Sequence, residues 1–356
     1  MQKIYWTGHP FVDAGLSAIL AIVSKKTNVQ KRLEDLTVQN LKIALKELKR
    51  ILTSDQALGI GVEKSFARET LSQLFPNSEL ANPSLWPQKK DNEKNFEKKI
   101  KAIKRRFEKA IHNDFNKAKL FLTKLSLTQQ GEVTCQTCGR KVPESAITYT
   151  RKDKTPLLIG IANFHSGFTH GMQICGLCAF AIRFLPLSVL GAKVYTKSQS
   201  SSSQKNSQKN SQKSSPKSEV RFWFLHTQSD VASEISKEYC YLKFNSAIAK
   251  NKPLEFYSDW QTAGEAGTVL YVLCNLLEKH QERLYKVFRS PVPATVYVFS
   301  NNNQYPYVKP LPIPNELLIF LYKLFLKSKS AFKQFYWELL LIPNELSEKE
   351  KVNRAL

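Results

Sequence analysis

Two Cys-x-x-Cys pairs are the residues of this chain whose types and spacing best suit chemistry, and they are Cys135-Gln-Thr-Cys138 and Cys175-Gly-Leu-Cys178. The thiolates of one pair can reach a single ion, so the two pairs together supply the four soft ligands of a closed tetrahedral zinc site. A glycine inside or next to each pair lets the backbone bend around the metal. We therefore predict one structural zinc ion bound by all four cysteines.

Two alternatives to this zinc site stay open in the sequence. His165 and His170 lie between the pairs, but four thiolates already complete a tetrahedron, which favours roles beside the metal or at the surface. Redox chemistry is the second alternative, although a thioredoxin-like site needs only one pair. The remaining Cys240 and Cys274 stand alone in apolar segments, a pattern that suits a reducing cytoplasm better than a disulfide framework.

Motifs that would indicate catalysis are missing from the sequence. It contains no GxxxxGK[ST] phosphate loop, no HExxH and no GxSxG. His9 and Asp13 are four residues apart, as on one helix face, but a lone pair of this kind more often makes a structural contact than a catalytic site. We predict a non-enzyme, with a metal-dependent nuclease as the enzymatic alternative.

A basic amphipathic helix is predicted between residues 92 and 122. Its apolar stripe recurs every three or four residues, as a buried helix face requires, and consists of Phe96, Ile100, Ile103, Phe107, Ile111 and Phe115. Residues 89–120 carry twelve basic side chains against five acidic ones. A charged face is often only solvated, but this excess predicts phosphate contacts by Lys98, Lys101, Lys104, Arg105 and Arg106.

A loop rich in side-chain amides is the second candidate for nucleic-acid contact. It follows the predicted strand 294–299 and contains Asn301, Asn302, Asn303 and Gln304. Amides both donate and accept hydrogen bonds, so such a loop can recognise base edges in a groove, and Tyr305 and Tyr307 beside it could stack on bases. The alternative is an Asn-rich turn that closes a hairpin.

Composition and patterning predict five segments. Lys197–Ser218 repeats Ser-Gln-Lys-Asn and is nearly free of apolar residues, so we expect a mobile Ser/Gln/Lys linker. Residues 1–130 are expected to be mostly helical, 131–196 to form a zinc-binding lobe, 219–310 to be mixed α/β, and 311–356 to be helical. The predicted fold class is α+β, a mixed multi-lobe protein with an inserted four-cysteine zinc-binding lobe and a largely helical C-terminal region.

Periodicity also predicts individual elements and a location. We expect a helix over 33–52, strands over 157–162, 220–225 and 239–244, and a helix over 267–288. The sequence Ile-Pro-Asn-Glu-Leu, at 313–317 and 342–346, is typical of helix starts. Lysines interrupt the apolar stretch 317–342, so we expect no membrane partner. Asp13 and Gly15 break up the early apolar stretch, which predicts no signal peptide and a cytoplasmic protein.

The charge balance favours a polyanionic partner. Lysine and arginine number 53 against 30 aspartates and glutamates, which gives a formal net charge of +23. Such an excess indicates nucleic acid or an anionic membrane surface. The alternative is a basic protein whose charge serves only solubility.

The opening of the chain resembles a known family. It is Tyr5-Trp6-Thr7-Gly8-His9-Pro10-Phe11-Val12-Asp13-Ala14-Gly15-Leu16-Ser17-Ala18-Ile19. This segment is similar to the start of the CxxC–CxxC large subunits of type I-B, and related I-A, CRISPR effector complexes. In that family a Thr-Gly-x-Pro-x-x-Asp-x-Gly signature precedes a helix, and two CxxC pairs follow in mid-chain. Both features occur here in the same order.

The resemblance implies a non-catalytic subunit of Cascade, the crRNA-guided surveillance complex of antiviral defence. Such a subunit lies beside the crRNA 5′ handle and contacts the backbone and handle-binding subunits. It helps recognise the protospacer-adjacent motif in double-stranded target DNA and helps open and hold that DNA, while guide pairing selects the target. Cleavage would belong to a recruited helicase-nuclease.

Three alternatives accompany this resemblance. The chain is short for the family, so a separate small subunit is an expected partner in place of a C-terminal helical bundle. A compact subunit also suits a CRISPR-associated transposon, in which the complex recruits transposition proteins instead of a nuclease. The rival interpretation is a stand-alone zinc-ribbon regulatory protein that binds nucleic acid.

Overall fold

The structure of the protein is a computed structural model, which describes residues 3–58, 85–88, 91–123, 132–149, 172–196, 217–228, 230, 245–246, 248–251, 294–300, 307–332 and 334–335. The predicted elements at 157–162, 239–244 and 267–288 lie outside these residues, as does the second Ile-Pro-Asn-Glu-Leu copy at 342–346. Most of the predicted linker also lies outside them.

The described residues form helices and antiparallel strands. The helices are α1 (Pro10–Thr27), α2 (Val38–Leu52), the one-turn α3 (Asp55–Leu58), α4 (Glu93–Thr123), α5 (Gly176–Ile182) and α6 (Asn315–Lys327). The strands are β1 (Glu132–Thr134), β2 (Lys141–Pro143), β3 (Ile147–Tyr149), β4 (Gln173–Cys175), β5 (Leu190–Thr196), β6 (Lys217–His226), β7 (Ala294–Ser300) and β8 (Tyr307–Ile313).

α1 is the central helix of the core. Pro10 presets φ in its first turn, and Asn28 ends the helix in the left-handed conformation with φ of 52°. Every residue from Phe11 to Ser24 is buried, as expected of a helix that is apolar on all sides. The helix therefore begins inside the opening signature rather than after it, and Asp13 and Gly15 belong to its first turns.

α2 begins later than its periodicity predicts. Leu33–Asp35 form a separate one-turn 3-10 helix. Thr37 then caps α2, because its side chain accepts the Asn40 N–H at 3.3 Å while the Asn40 side chain accepts the Thr37 N–H at 3.0 Å. The predicted apolar face is confirmed, since its four leucines are buried: Leu41, Leu45, Leu48 and Leu52.

α4 matches the predicted basic amphipathic helix within one residue at each end. Most of its apolar stripe is buried against the other helices: Ile103, Phe107, Ile111 and Phe115. Phe96 and Ile100, nearer its start, are half-buried. The helix begins beside a fixed turn, because the Lys99 ammonium donates to the Asp91 carboxylate at 2.7 Å.

Two glycines bring the backbones of α1, α4 and α5 into contact. A Cβ atom on Gly15 of α1 would lie 1.9 Å from the carbonyl oxygen of Ala181 in α5. A Cβ atom on Gly176 of α5 would lie 2.3 Å from the carbonyl carbon of Lys117 in α4. No side chain fits at these distances, so only glycine allows the three helices to meet. The residues around the cysteines thus share one hydrophobic core with α1, α2 and α4.

β5, β6, β7 and β8 form a four-stranded antiparallel sheet in chain order. The predicted strands 220–225 and 294–299 are confirmed within β6 and β7. β6 begins at Lys217, so the last two residues of the predicted linker belong to the sheet, where Lys217 pairs with Thr196. Among the described strands, β8 lies at an edge of the sheet, and it contains Pro310 and Pro312.

Aromatic side chains join this sheet to α1. The Phe11 ring lies 5.1 Å from the Phe299 ring and 5.4 Å from the Phe224 ring, measured between centroids. Phe222 contacts Phe299 at 5.3 Å. Alternation along β6 and β7 places these rings on one sheet face, and tilted or edge-on pairs at such spacings are favourable.

The C-terminal described region begins a helix where the sequence predicts one. Pro314 precedes α6, and the first Ile-Pro-Asn-Glu-Leu copy spans the end of β8 and the helix start. Among the described residues, no helix is both long and apolar enough to cross a bilayer. The α+β class is confirmed, while the separate lobes and the helical C-terminal region stay predictions.

Gly15→Ala should destabilise the protein strongly, because the added methyl would overlap the Ala181 carbonyl. Overpacking of this kind costs about 1–3 kcal/mol or more. Thermal or denaturant unfolding measures the change. Ala102→Ser, on the exposed face of α4, is the control and should shift the free energy of unfolding by about 0.5 kcal/mol or less. Equal free energies of unfolding for both variants would contradict the close approach of Gly15 to Ala181.

Candidate metal centre

The first cysteine pair lies in the tight turn between β1 and β2. The Cys135 N–H donates to the Arg140 carbonyl at 2.8 Å, and the Gly139 N–H donates to the Cys135 carbonyl at 2.9 Å. Gly139 has φ of +69°, a conformation that glycine adopts without strain. These bonds fold the backbone so that Cys135 and Cys138 face the same point.

The second pair lies where β4 leads into α5. Cys175 is the residue before the first helical turn, and Cys178 lies within that turn. The Gln136 N–H donates to the Gln173 carbonyl at 2.8 Å, and the Gln173 N–H donates to the Gln136 side-chain oxygen at 2.8 Å. These two bonds hold the two cysteine-bearing turns together.

The end of α5 is anchored as well. Arg183 Nε donates to Asp114 Oδ2 of α4 at 2.6 Å, and both side chains are almost fully buried. A buried pair of this kind is costly to break from one side, because the other charge would be left unpaired. α5, which carries the second cysteine pair, is thus fixed against α4 at Gly176 and again beyond its last turn.

The four thiols converge on one point. The Sγ atoms of Cys135 and Cys178 are 3.9 Å apart, as are those of Cys138 and Cys175, and all four lie within 4.8 Å of one another. A tetrahedral ion with sulfur ligands at about 2.3 Å would separate the sulfurs by about 3.8 Å. The four cysteines could therefore hold one metal ion, as their spacing predicts.

The thiols compete for negative charge. Hydrogen bonding with the other sulfurs, Cys138 first, lowers the pKa of the Cys135 thiol. Hydrogen bonding with Cys135 raises the pKa of the Cys178 thiol well above its ordinary value. A cation at the centre would favour the thiolate form at all four positions. The Cys175 N–H also lies 3.2 Å from Cys135 Sγ and would help to stabilise a thiolate there.

A metal ion bound here would be enclosed. Cys135, Cys175 and Cys178 are fully buried, and Cys138 is half-buried. Four protein ligands leave no open coordination position, which is typical of a structural rather than a catalytic site. His165 and His170, the alternative ligands in the sequence, lie outside the described residues.

A second polar cluster surrounds Asp13, whose side chain is fully buried. Its carboxylate accepts the Thr7 N–H at 2.8 Å, the Thr7 hydroxyl at 2.7 Å and the Gly8 N–H at 3.0 Å. His226 of β6 lies 3.1 Å from the same carboxylate. Asp13 thus fixes the Thr7-Gly8 turn before α1, as the expected structural contact, but its histidine partner is His226 instead of His9.

His9 has a different role from the one its spacing to Asp13 predicts. It precedes the first turn of α1, and its ring packs beside Phe11 with centroids 5.9 Å apart. Burial is the main cause that lowers the pKa of His9 below its ordinary value. No hydrogen-bond partner for its Nδ1 atom is found in the described part of the chain. Asp13 and His226 are 213 residues apart in sequence, so no local sequence pattern predicts their contact.

The predicted phosphate-binding residues of α4 fall into two groups. Lys104 donates to Asp55 at 2.8 Å and is half-buried, so it also stabilises the fold. Arg106 is exposed on another side of α4 and makes an interaction within the chain. Lys98, Lys101 and Arg105 are exposed, and within the described part of the chain Lys101 forms a long ion pair with Glu97 at 3.9 Å.

An exposed basic stripe therefore runs along α4. Residues spaced three or four apart share one side of a helix, and five exposed cations are spaced in this way. We call them the α4 basic face: Lys94, Lys98, Lys101, Arg105 and Lys109. Lys94 and Lys109 are the members that the sequence analysis did not single out.

The amide loop cannot be placed in the same way. Asn301, Asn302, Asn303 and Gln304 lie outside the described residues. The strands on either side are antiparallel, with Ser300 opposite Tyr307. The loop therefore connects the two strands of a β-hairpin, as the alternative interpretation expects. Base recognition by its amides stays a prediction.

Purified protein should contain about one metal ion per chain, and Cys175→Ser should abolish this binding and lower the melting temperature, because three thiolates cannot complete the tetrahedron. Elemental analysis for zinc and iron measures the metal, since both ions accept four sulfur ligands. Cys240→Ser, outside the two pairs, is the control and should keep the metal. Metal-free wild-type protein with four freely titratable thiols at these positions would contradict the prediction.

No family model matches the chain, and neither a curated protein nor a solved structure shows significant similarity to it.

Proposed function

We propose that this chain is the non-catalytic large subunit of a type I-B CRISPR Cascade complex. In this role it would lie beside crRNA and the backbone and handle-binding subunits. It would help recognise the protospacer-adjacent motif of double-stranded target DNA, and help open and hold that DNA. The complex would then recruit a helicase-nuclease or, in a CRISPR-associated transposon, transposition proteins.

One contact carries this proposal. The resemblance rests on two parts of the sequence, the Thr7–Gly15 signature and the two cysteine pairs, which are far apart along the chain. Gly15, the last residue of the signature, touches Ala181 of the cysteine-bearing helix α5 through the backbone. The signature residues Thr7 and Gly8 are in turn fixed by Asp13. Two features that resemble one family separately thus belong to one packing unit, which supports their joint origin.

The charge distribution supports a nucleic-acid partner. The α4 basic face presents five exposed cations along a helix of 31 residues, an arrangement suited to a phosphate backbone. Phosphate contacts position a protein on nucleic acid without selecting sequence. This is the requirement in a guided complex, where base pairing selects the target. The predicted base-recognition role of Asn301–Gln304 would be limited to the short motif.

In this proposal the role of the bound metal ion is structural. We propose zinc as the ion, because it is redox-inert and commonly bound by four cysteines in closed sites. Its contribution would be to keep the β1–β2 turn and α5 in fixed relation to α1 and α4. The nucleic-acid contacts would be made by other residues.

Co-purification tests the proposal directly. The tagged chain, expressed from its native gene neighbourhood, should co-purify with crRNA and with repeated backbone subunits, detected by RNA sequencing and mass spectrometry. Gly15→Asp, which disrupts the signature contact, should release these partners. A chain that purifies alone and binds a defined operator would favour the zinc-ribbon regulator. Divalent-dependent cleavage of nucleic acid by the pure chain would contradict the non-catalytic role.

The α4 basic face makes a quantitative prediction. Replacing Lys98 and Arg105 together by Gln should weaken duplex DNA binding and flatten its salt dependence. The slope of log K against log salt should fall by about 0.9 for each phosphate that is no longer neutralised, hence about 2 for the pair. Lys42→Gln with Lys46→Gln removes the same charge from the exposed face of α2 and should leave the slope close to wild type. Equal slopes for both double variants would exclude the α4 basic face as the surface that contacts phosphates.

A further inference from the structure

Tyr5, which is exposed, and Arg140, which is half-buried, form an aromatic and cationic surface outside the metal centre and the α4 basic face. We propose that this surface stacks one base of a single-stranded nucleic acid. Together with the exposed Lys3, two residues before Tyr5, and the exposed Lys141, next to Arg140, they are called the Tyr5 site. The inference deepens the proposed function and rests on it for the source of the strand, which would be crRNA or opened target DNA.

The Tyr5 site is a stack that runs outward from the core. Cζ of Arg140 lies 5.4 Å from the ring centroid of Phe121 and 5.5 Å from that of Tyr5. Phe121 is 2% exposed, whereas Tyr5 is 52% exposed. The guanidinium thus joins a buried ring to one that is half in solvent. The solvent-exposed part of the Tyr5 ring is open to a further planar group.

The stack is held in place before any ligand binds. The Arg140 carbonyl accepts the Cys135 N–H at 2.8 Å, within the turn that carries the first cysteine pair. Nη1 of Arg140 donates to the Lys3 carbonyl at 3.3 Å. The cysteine-bearing turn and the N-terminal segment together therefore orient the guanidinium. Such preorganisation reduces the entropic cost of ordering side chains on binding.

The charge around the stack is positive. Lys3 and Arg32 both approach the Glu34 carboxylate, at 3.5 Å and 3.8 Å, and both are exposed. Lys141, next to Arg140, is exposed as well. The acids described here are Glu34 and Asp230, which also interacts with Arg32. Surface pairs at these distances are weak, and the four cations Lys3, Arg32, Arg140 and Lys141 leave the surface net positive. A phosphate would be attracted to it, whereas a cationic ligand would be repelled.

These features select the chemical class of the ligand. The guanidinium already occupies the position at which an aromatic cage would receive a methylated lysine or choline. A ligand of the Tyr5 site is therefore planar and carries negative charge nearby, as a nucleobase with its phosphate does. The base must present a free face, which a single strand offers and a duplex hides.

The Tyr5 site is separate from the α4 basic face. Phe121, its inner member, lies twelve positions beyond Lys109, the last member of the α4 basic face. At 1.5 Å per helical residue this is about 18 Å along the helix. Variants at one site can therefore be made without altering the other, and the two sites can be tested independently.

Binding of single-stranded oligonucleotides tests the inference in the full-length chain. The probes are oligothymidylate and oligouridylate, each with one 2-aminopurine, whose fluorescence falls when the base stacks. Tyr5→Leu keeps an apolar side chain but removes the ring, and should weaken binding roughly tenfold and abolish the fluorescence decrease, as expected when one base no longer stacks on an aromatic ring. Tyr5→Phe should behave like wild type. Val29→Ala, another exposed apolar position, is the control and should change neither quantity.

Each possible result either supports or overturns base stacking at the Tyr5 site. Stronger binding of one probe identifies the strand as DNA or RNA, and Tyr5-dependent quenching with either probe supports the site. Unchanged binding by Tyr5→Leu overturns it, even if Lys98→Gln with Arg105→Gln weakens duplex binding and the proposed function stands. Tyr5-dependent quenching in a chain that never co-purifies with crRNA would support the site and contradict the Cascade role. Tyr5-dependent binding to phosphatidylglycerol vesicles, with neither oligonucleotide bound, would also overturn it.

Discussion

The approach of three helix backbones within van der Waals distance is the constraint on which the described core depends. Gly15 lets α1 touch α5, and Gly176 lets α5 touch α4. Because α5 begins between the two cysteines of the second pair, these contacts also determine where that pair lies. The buried Arg183–Asp114 pair fixes the same helix at its other end. The packing of the three helices and the positions of the four thiols are therefore coupled, and a substitution that alters one should alter the other.

The cations of α4 illustrate how one helix serves two purposes. Lys99 and Lys104 bind carboxylates of neighbouring segments, and Lys117 donates to the Ile147 carbonyl at 3.0 Å. These cations join α4 to the rest of the protein. The α4 basic face lies on the side that remains exposed. The excess of basic residues in the sequence is thus partly structural, and only a subset is available for a polyanion.

Local patterns predicted the parts of the fold that depend on local chemistry. The amphipathic period of α4 and the β-branched and aromatic run of β7 predicted a helix and a strand, and both are found. The spacing of the cysteine pairs predicted that the four thiols converge, and they do. α1 was harder to predict from the sequence, because a helix buried on all sides has no polar face and hence no hydrophobic periodicity. The Asp13–His226 contact and the Gly15–Ala181 approach join distant segments, so neither follows from spacing in the sequence.

The prolines of β8 limit how this protein can assemble. An exposed sheet edge normally offers backbone donors to which a strand of another molecule can add. Pro310 and Pro312 have no N–H group, so two donors are missing from the edge strand. Growth of the sheet into a neighbouring chain is therefore disfavoured on that side. Along this edge, contacts with another molecule would be made by side chains, and the β8 side of the sheet would be protected from strand exchange and aggregation.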